Sequence, residues 1–151
     1  MSLSDWHAAG WLVEHKTTAA EIGELFAVAE RDLRDSAVAG LSLDSQLGLA
    51  YNAALQLCAA ALATAGYRAS RERKHYLTLQ SSAYTFGADA KLAARLDAFR
   101  KKRNVGDYER AGLTSAKEAS ELREIAKDLR DRVRSWIRQS RPELLEPSEL
   151  A

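Results

Sequence analysis

The run LGLAYNAALQLCAAALATAG, residues 47–66, most restricts what this chain can fold into. Leu47, Tyr51, Ala54, Leu55, Cys58 and Leu62 recur at three- and four-residue steps, the spacing of one helix face. Ser42, Asp44 and Ser45 offer N-caps before the run, and Gly66 offers a stop after it. Alanine favours the helix and leaves it a low profile, so neighbouring helices can approach closely. The expectation is a helix at the centre of a helical core. Asn52 interrupts the apolar neighbourhood and must meet a hydrogen-bonding partner or the edge of a groove.

The same reasoning places the other helices. Thr18 with Glu21 predicts a capping box, followed by the stripe Ile22, Leu25, Phe26, Ala29 and Leu33, with Gly40 as the stop. Asp32 lies beside that stripe, either as a boundary residue or as the acceptor of an arginine from another helix. Residues 76–84 predict a short helix ended near Gly87, and Asp89 caps the next one, which carries Leu92, Leu96 and Phe99. Ser115 with Glu118 repeats the capping pattern ahead of Leu122, Ala126, Leu129, Val133, Trp136 and Ile137, and Pro142 closes that last helix. No stretch alternates with a strand period over a useful length. The expected fold is all-α: an antiparallel bundle of four main helices with short accessory helices, spanning residues 18–141. Residues 1–17 should pack on the bundle, with Trp6 and Trp11 lying over a groove or anchoring a partner or dimer, and residues 142–151 read as an acidic, flexible tail.

A chain of 151 residues can bury a core of its own without disulfides or metal. Cys58 is the only cysteine, which excludes an intramolecular disulfide, and its apolar setting predicts a buried, inert thiol. His7, His15 and His75 with that one cysteine do not make a structural zinc set, and no glycine-rich phosphate loop is present, so no metal or cofactor is expected. The absence of a basic leader and of a long apolar run predicts a cytoplasmic protein with no membrane contact. The net charge of +1 does not by itself point to nucleic acid. Positive charge nevertheless gathers at residues 68–74, 100–103 and 130–141. If the fold sets two of these clusters on one face, the chain presents a field able to hold phosphates; otherwise they are solvated helix faces.

The stretch LDAFRKKRNVGDY, residues 96–108, concentrates the chemistry. A helix that buries Leu96 and Phe99 must turn part of the run Arg100, Lys101, Lys102, Arg103 toward solvent or a partner. Gly106 can relax the backbone there, and Asp107 can pair with an arginine one turn back. Metal-independent cleavage of RNA requires a base, an acid and a cation near the developing phosphorane charge. Arg103 could supply the cation, Asn104 could orient a phosphate or ribose hydroxyl, and His75 is the candidate base if its loop reaches the basic run. The structural alternative has Asp107 bridging to Arg103 or Lys102, Tyr108 packed beneath the final helix, and Arg100 covering apolar surface with its methylenes.

Residues 51–68, His75 and then FRKKRNVGDY, residues 99–108, resemble in order and spacing the HEPN family of small prokaryotic helical domains, with coverage from about Thr18 to about Gln139. Many HEPN proteins are regarded as metal-independent ribonucleases, often toxins, that dimerise with an arginine–polar–spacer–histidine motif facing its copy. Others accompany a minimal nucleotidyltransferase in toxin–antitoxin-like pairs or act as binding modules. By this resemblance Arg103 and Asn104 take the arginine and polar positions, while Tyr108 stands where the histidine is expected. A tyrosine hydroxyl, with a reference pKa of about 10 against about 6.5 for histidine, is a poor base at neutral pH. The resemblance therefore implies a homodimeric binding or interaction module, partnered by a nucleotidyltransferase, that lacks ordinary ribonuclease chemistry. Arg68, Arg100, Arg103, Asn104 and Tyr108 are its candidate contacts to nucleotide or RNA. A metal-independent endoribonuclease using Arg103, and a nucleotide or phosphate binder without turnover, are the alternatives.

Overall fold

The computed structural model describes residues 1–108 and 114–145, with side chains through Asn104 in the first segment. Gly112, where the sequence also suggests a turn ahead of the Ser115 cap, lies outside the described residues. Four helices of 18 residues or more account for most of the described chain: α2 (Ala19–Ser36), α3 (Leu43–Thr64), α5 (Ala90–Tyr108) and α6 (Ala116–Ser140). Shorter helices α1 (Leu3–Ala8) and α4 (Lys74–Gln80) join them, with 3₁₀ turns at Ser81–Tyr84 and Pro142–Leu144. The long helices pack together as an all-α bundle.

α3 is the centre of that bundle, flanked along its length by α2 and α6. Its alanines Ala50, Ala53, Ala54, Ala60 and Ala61 are fully buried, and their small side chains let the flanking helices approach closely. By length and composition α3 could cross a membrane, yet most of it lies inside the bundle, as the core helix of a packed domain does. α2 and α6 instead bury one stripe each: Ile22, Phe26, Ala29 and Leu33 on α2, and Leu122, Ala126, Leu129, Val133 and Ile137 on α6. Phe99 and Leu96 of α5 close the same core.

Caps set the helix ends. Ser42 Oγ accepts from the Ser45 amide, Asp89 Oδ1 accepts from the Leu92 amide, and Ser115 with Glu118 forms a complete capping box. The Thr18 box is only half made. Thr18 accepts from the Glu21 amide, but the Glu21 carboxylate accepts from Thr17 Oγ1 at 2.6 Å and meets His15 Nε2 at 2.7 Å. α2 also stops at Ser36, before Gly40, with the buried Ser36 hydroxyl bonded back to the Leu33 carbonyl. α5 continues through Gly106 to Tyr108, so that glycine does not loosen the helix as expected.

Two further expectations are corrected. A two-stranded antiparallel ribbon joins β1 (Leu12–Glu14) to β2 (Tyr67–Ala69), with Leu12 opposite Ala69 and Glu14 opposite Tyr67. Three residues per strand are too few to write a period into the sequence. Leu12 and Ala69 join Trp6, Leu62 and Leu77 in a second small core, where the Trp6 ring meets Trp11 and Tyr84 edge-on at 5.7 and 5.3 Å. At the other end, Leu144 and Leu145 are buried in the main core, so the segment after Pro142 begins as packed structure rather than as a loose tail. Residues 146–151 lie outside the described residues.

A candidate anion-binding cleft

Two of the three basic clusters meet. The connection from β2 to α4 carries Arg71, Arg73 and Lys74, with Arg73 in the left-handed region at φ 57° as the chain turns into the helix. α5 presents Asp97, Arg100 and Lys101, neighbours on one helix face at i, i+3 and i+4. The two segments converge on Tyr76, whose ring lies 4.7 Å from the Arg73 guanidinium and 5.4 Å from that of Arg100. Between them opens a cleft of about 790 Å³ that these residues line together with His75. Five cationic side chains face it against a single carboxylate. That carboxylate holds the α5 side in place: Arg100 Nε donates to Asp97 Oδ1 at 2.7 Å, and Lys101 Nζ lies 3.4 Å from Oδ2. Burial pushes the Asp97 carboxyl up, but the hydrogen bonds and charges of Arg100 and Lys101 outweigh it and hold the group below its ordinary value.

Behind the cleft stands Tyr51 of α3, only 2% exposed. The His75 ring lies 6.2 Å from the Tyr51 ring, and the Arg103 guanidinium 5.5 Å from it. His75 and Arg103 therefore flank one phenol; His75 stands on α4 rather than in a loop, and it shares the basic cleft with Arg100. The Tyr51 hydroxyl is buried and has no hydrogen-bond partner among the described residues. Burial pushes its pKa up to about 12 against the opposing charges of Arg100 and Arg103. His75 is driven the other way, first by burial and then by the charges of Arg103, Lys74 and Arg100. Its imidazole is neutral at neutral pH and can accept a proton.

The expected site residues divide. Arg100 lines the basic cleft. Arg103 lines a different one, with Asp32, Asp44, Gly48 and Asn52, where a Cβ on Gly48 would stand 3.8 Å from Arg103 Nε. Asn104 is exposed on α5. Arg68 is exposed on β2 and lines a third cleft, which shares Lys74 and His75 with the basic one. Asp107 and Tyr108 belong to α5 by backbone, and their side chains lie outside the described residues. Lys102 is drawn away to Glu118 of α6 at 3.0 Å. Sequence reasoning placed Arg71, Arg73 and Lys74 in a cluster without naming a role and missed Tyr76 and Asp97. The α5 spacing of Asp97 to Arg100 and Lys101 was the available signal for the carboxylate.

Asp32, 3% exposed, accepts from Asn52 Nδ2 at 2.5 Å and from Arg31 Nε at 3.1 Å, so it meets an amide of α3 and an arginine of its own helix. The third basic cluster faces carboxylates: Arg130 and Arg134 reach Glu30, Arg132 reaches Asp128, and Arg141 reaches Glu143. Cys58 is fully buried and its pKa is raised to about 12 by desolvation, which leaves the thiol unreactive at neutral pH. Among the described residues no three His, Cys, Asp or Glu side chains are grouped to hold a metal ion. No family model, curated protein or solved structure matches the chain.

Proposed function

We propose that this chain is a helical binding module whose basic cleft takes the phosphate of a nucleotide or RNA strand. The observation that carries this reading is the convergence of residues 71–74 and of Arg100 and Lys101 on the one ring of Tyr76. Bringing so many like charges together is costly unless something of opposite sign comes to them, and Asp97 offsets only part of the charge. The HEPN resemblance adds a homodimer and a minimal nucleotidyltransferase as protein partner. Size measurement in solution and co-purification from the native host test those additions.

The direct test is binding of labelled single-stranded RNA as a function of salt. Engagement of three to five phosphates gives a slope of log affinity against log salt of about −2 to −3.5, at roughly −0.7 per contact. Arg100→Ala should weaken binding at every salt concentration and flatten the slope by about 0.7. Absence of binding at low salt, or an Arg100→Ala variant that is folded and binds like the parent, refutes the reading.

One observation favours a second reading, metal-independent RNA cleavage. His75 is neutral within a field of arginines and shares the Tyr51 ring with Arg103, so it meets the electrostatic requirement of a general base. RNA incubated in EDTA with the parent, His75→Ala and Arg103→Ala decides it. Cleavage by the parent alone supports catalysis, and intact RNA in all three leaves binding as the function.

A further inference from the structure

The basic cleft does not stand alone. Lys74 and His75 also border a smaller cleft of about 280 Å³ on the other side, between α2, α3 and α4. Its floor is apolar: Leu25 of α2, with Leu55, Ala59 and Ala63 of α3. Gln56 and Thr78 stand among these apolar groups, and the paired Glu21 and His15, with Arg68, border the cleft as well. Gln56 donates its amide to Asn52 Oδ1 at 3.2 Å, which leaves its carbonyl oxygen to accept from a ligand. A volume just below the range that takes drug-sized ligands suits a single ring system, and alanines at Ala59 and Ala63 leave room for a flat one. Most of the wall is helical, from α2, α3 and α4, with His15 and, from β2, Arg68 at its edge.

Resting on the phosphate-binding reading above, we propose that the unit recognised is one nucleoside phosphate. Its base lies in the apolar cleft, its phosphate in the basic cleft, and Lys74 and His75 stand at the junction. A base has apolar faces for the floor and hydrogen-bonding edges for Gln56 and Thr78. In a duplex those edges are already paired and the faces stacked, so the module takes unpaired nucleotides. A free mononucleotide and an unpaired nucleotide within an RNA strand present the same chemistry to it.

Calorimetric titration of the full chain with inorganic phosphate, ribose 5-phosphate, nucleoside 5′-monophosphates, single-stranded RNA and duplex RNA tests the proposal. A nucleoside monophosphate should bind about 5- to 150-fold tighter than ribose 5-phosphate, the gain expected when an unstacked base is buried. Ala59→Leu, a helix-compatible change that fills the apolar cleft, should erase that gain and leave ribose 5-phosphate unaffected. Arg100→Ala should weaken every phosphate compound. If monophosphates bind weakly but single-stranded RNA exceeds duplex and Ala59→Leu removes the difference, the nucleotide is supplied by a strand. Equal affinity of the parent for ribose 5-phosphate and nucleoside monophosphate, together with equal affinity for single-stranded and duplex RNA, overturns the inference while leaving the phosphate site standing. Binding of none of these compounds overturns both. The comparison of ligands on the parent needs no variant, so a misfolded Ala59→Leu chain does not shelter the proposal.

Discussion

Replacing Tyr51 by phenylalanine removes one oxygen from the wall between His75 and Arg103, and the structure sets the sign of the effect. The residue is 2% exposed and its hydroxyl has no hydrogen-bond partner among the described residues. A hydroxyl buried without a bond costs about 1–3 kcal/mol by protein mutational data, and the ring that provides the packing survives the change. Tyr51→Phe should therefore stabilise the fold by about 1 kcal/mol, which for a chain of this size raises Tm by about 2–4 °C. Because burial pushes the Tyr51 pKa up to about 12, the phenol is neutral across the useful range and the gain should not change between pH 6 and pH 9. Urea unfolding at 25 °C with a parallel thermal melt measures it. Tyr84→Phe, at a phenol 40% exposed, is the control and should stay within about 0.5 kcal/mol of the parent. A loss of 1 kcal/mol or more in Tyr51→Phe would mean that the hydroxyl is held by a bond, and the account of the site as one containing an unsatisfied phenol would fail.

Other outcomes follow from the same physical terms. Asn52→Leu deprives the buried Asp32 carboxylate of its amide partner and should cost about 1.5–3 kcal/mol in urea unfolding, whereas a neutral result would show that Arg31 alone satisfies it. Two glycine-to-alanine changes should have opposite signs, although an added Cβ meets open space at both positions. Gly23→Ala, inside α2, should stabilise by about 0.5–1 kcal/mol, and Gly66→Ala, at φ +99°, should destabilise by about 1–2 kcal/mol. The folded pKa of His75 is below its ordinary value, so between that value and about 6.5 the unfolded chain binds more protons than the folded one. Its contribution to stability is therefore complete above about pH 6.5 and is lost as pH falls through the folded value; the parent should lose ground to His75→Gln over that window, and a proton-NMR titration placing His75 at or above 6.5 would refute this.

The helices were legible because each carries its own instruction at short range. The stripe from Ile22 to Leu33, the alanine-rich run around Tyr51 and the Ser115–Glu118 box need no distant partner to be read, and all three occur in the structure. What escaped was set by tertiary partners. The β1–β2 ribbon exists because Leu12 and Ala69 pair across more than 50 residues of chain, and Leu144 and Leu145 are ordered by the core they enter. The site shows the same division. Its cationic clusters could be counted from the sequence, but their meeting at Tyr76 depends on how α4 and α5 pack. Arg103, the residue that chemistry alone favoured, lines the cleft of Asp32 and Asp44, almost one turn further along α5 than Arg100.

The placement of α3 also bears on how the chain is made. α3 ends at residue 64 and α6, which covers one of its sides, ends at residue 140. At ordinary synthesis rates roughly 4–15 s separate the two events. Of the two helices that flank α3, only α2 is available during that interval to shield a nascent apolar helix long enough to span a bilayer. Any factor on the ribosome that samples hydrophobic segments meets α3 in that state, before its own domain can claim it. Slowing translation between residues 64 and 140 should therefore lower the yield of folded protein more than the same slowing before residue 43.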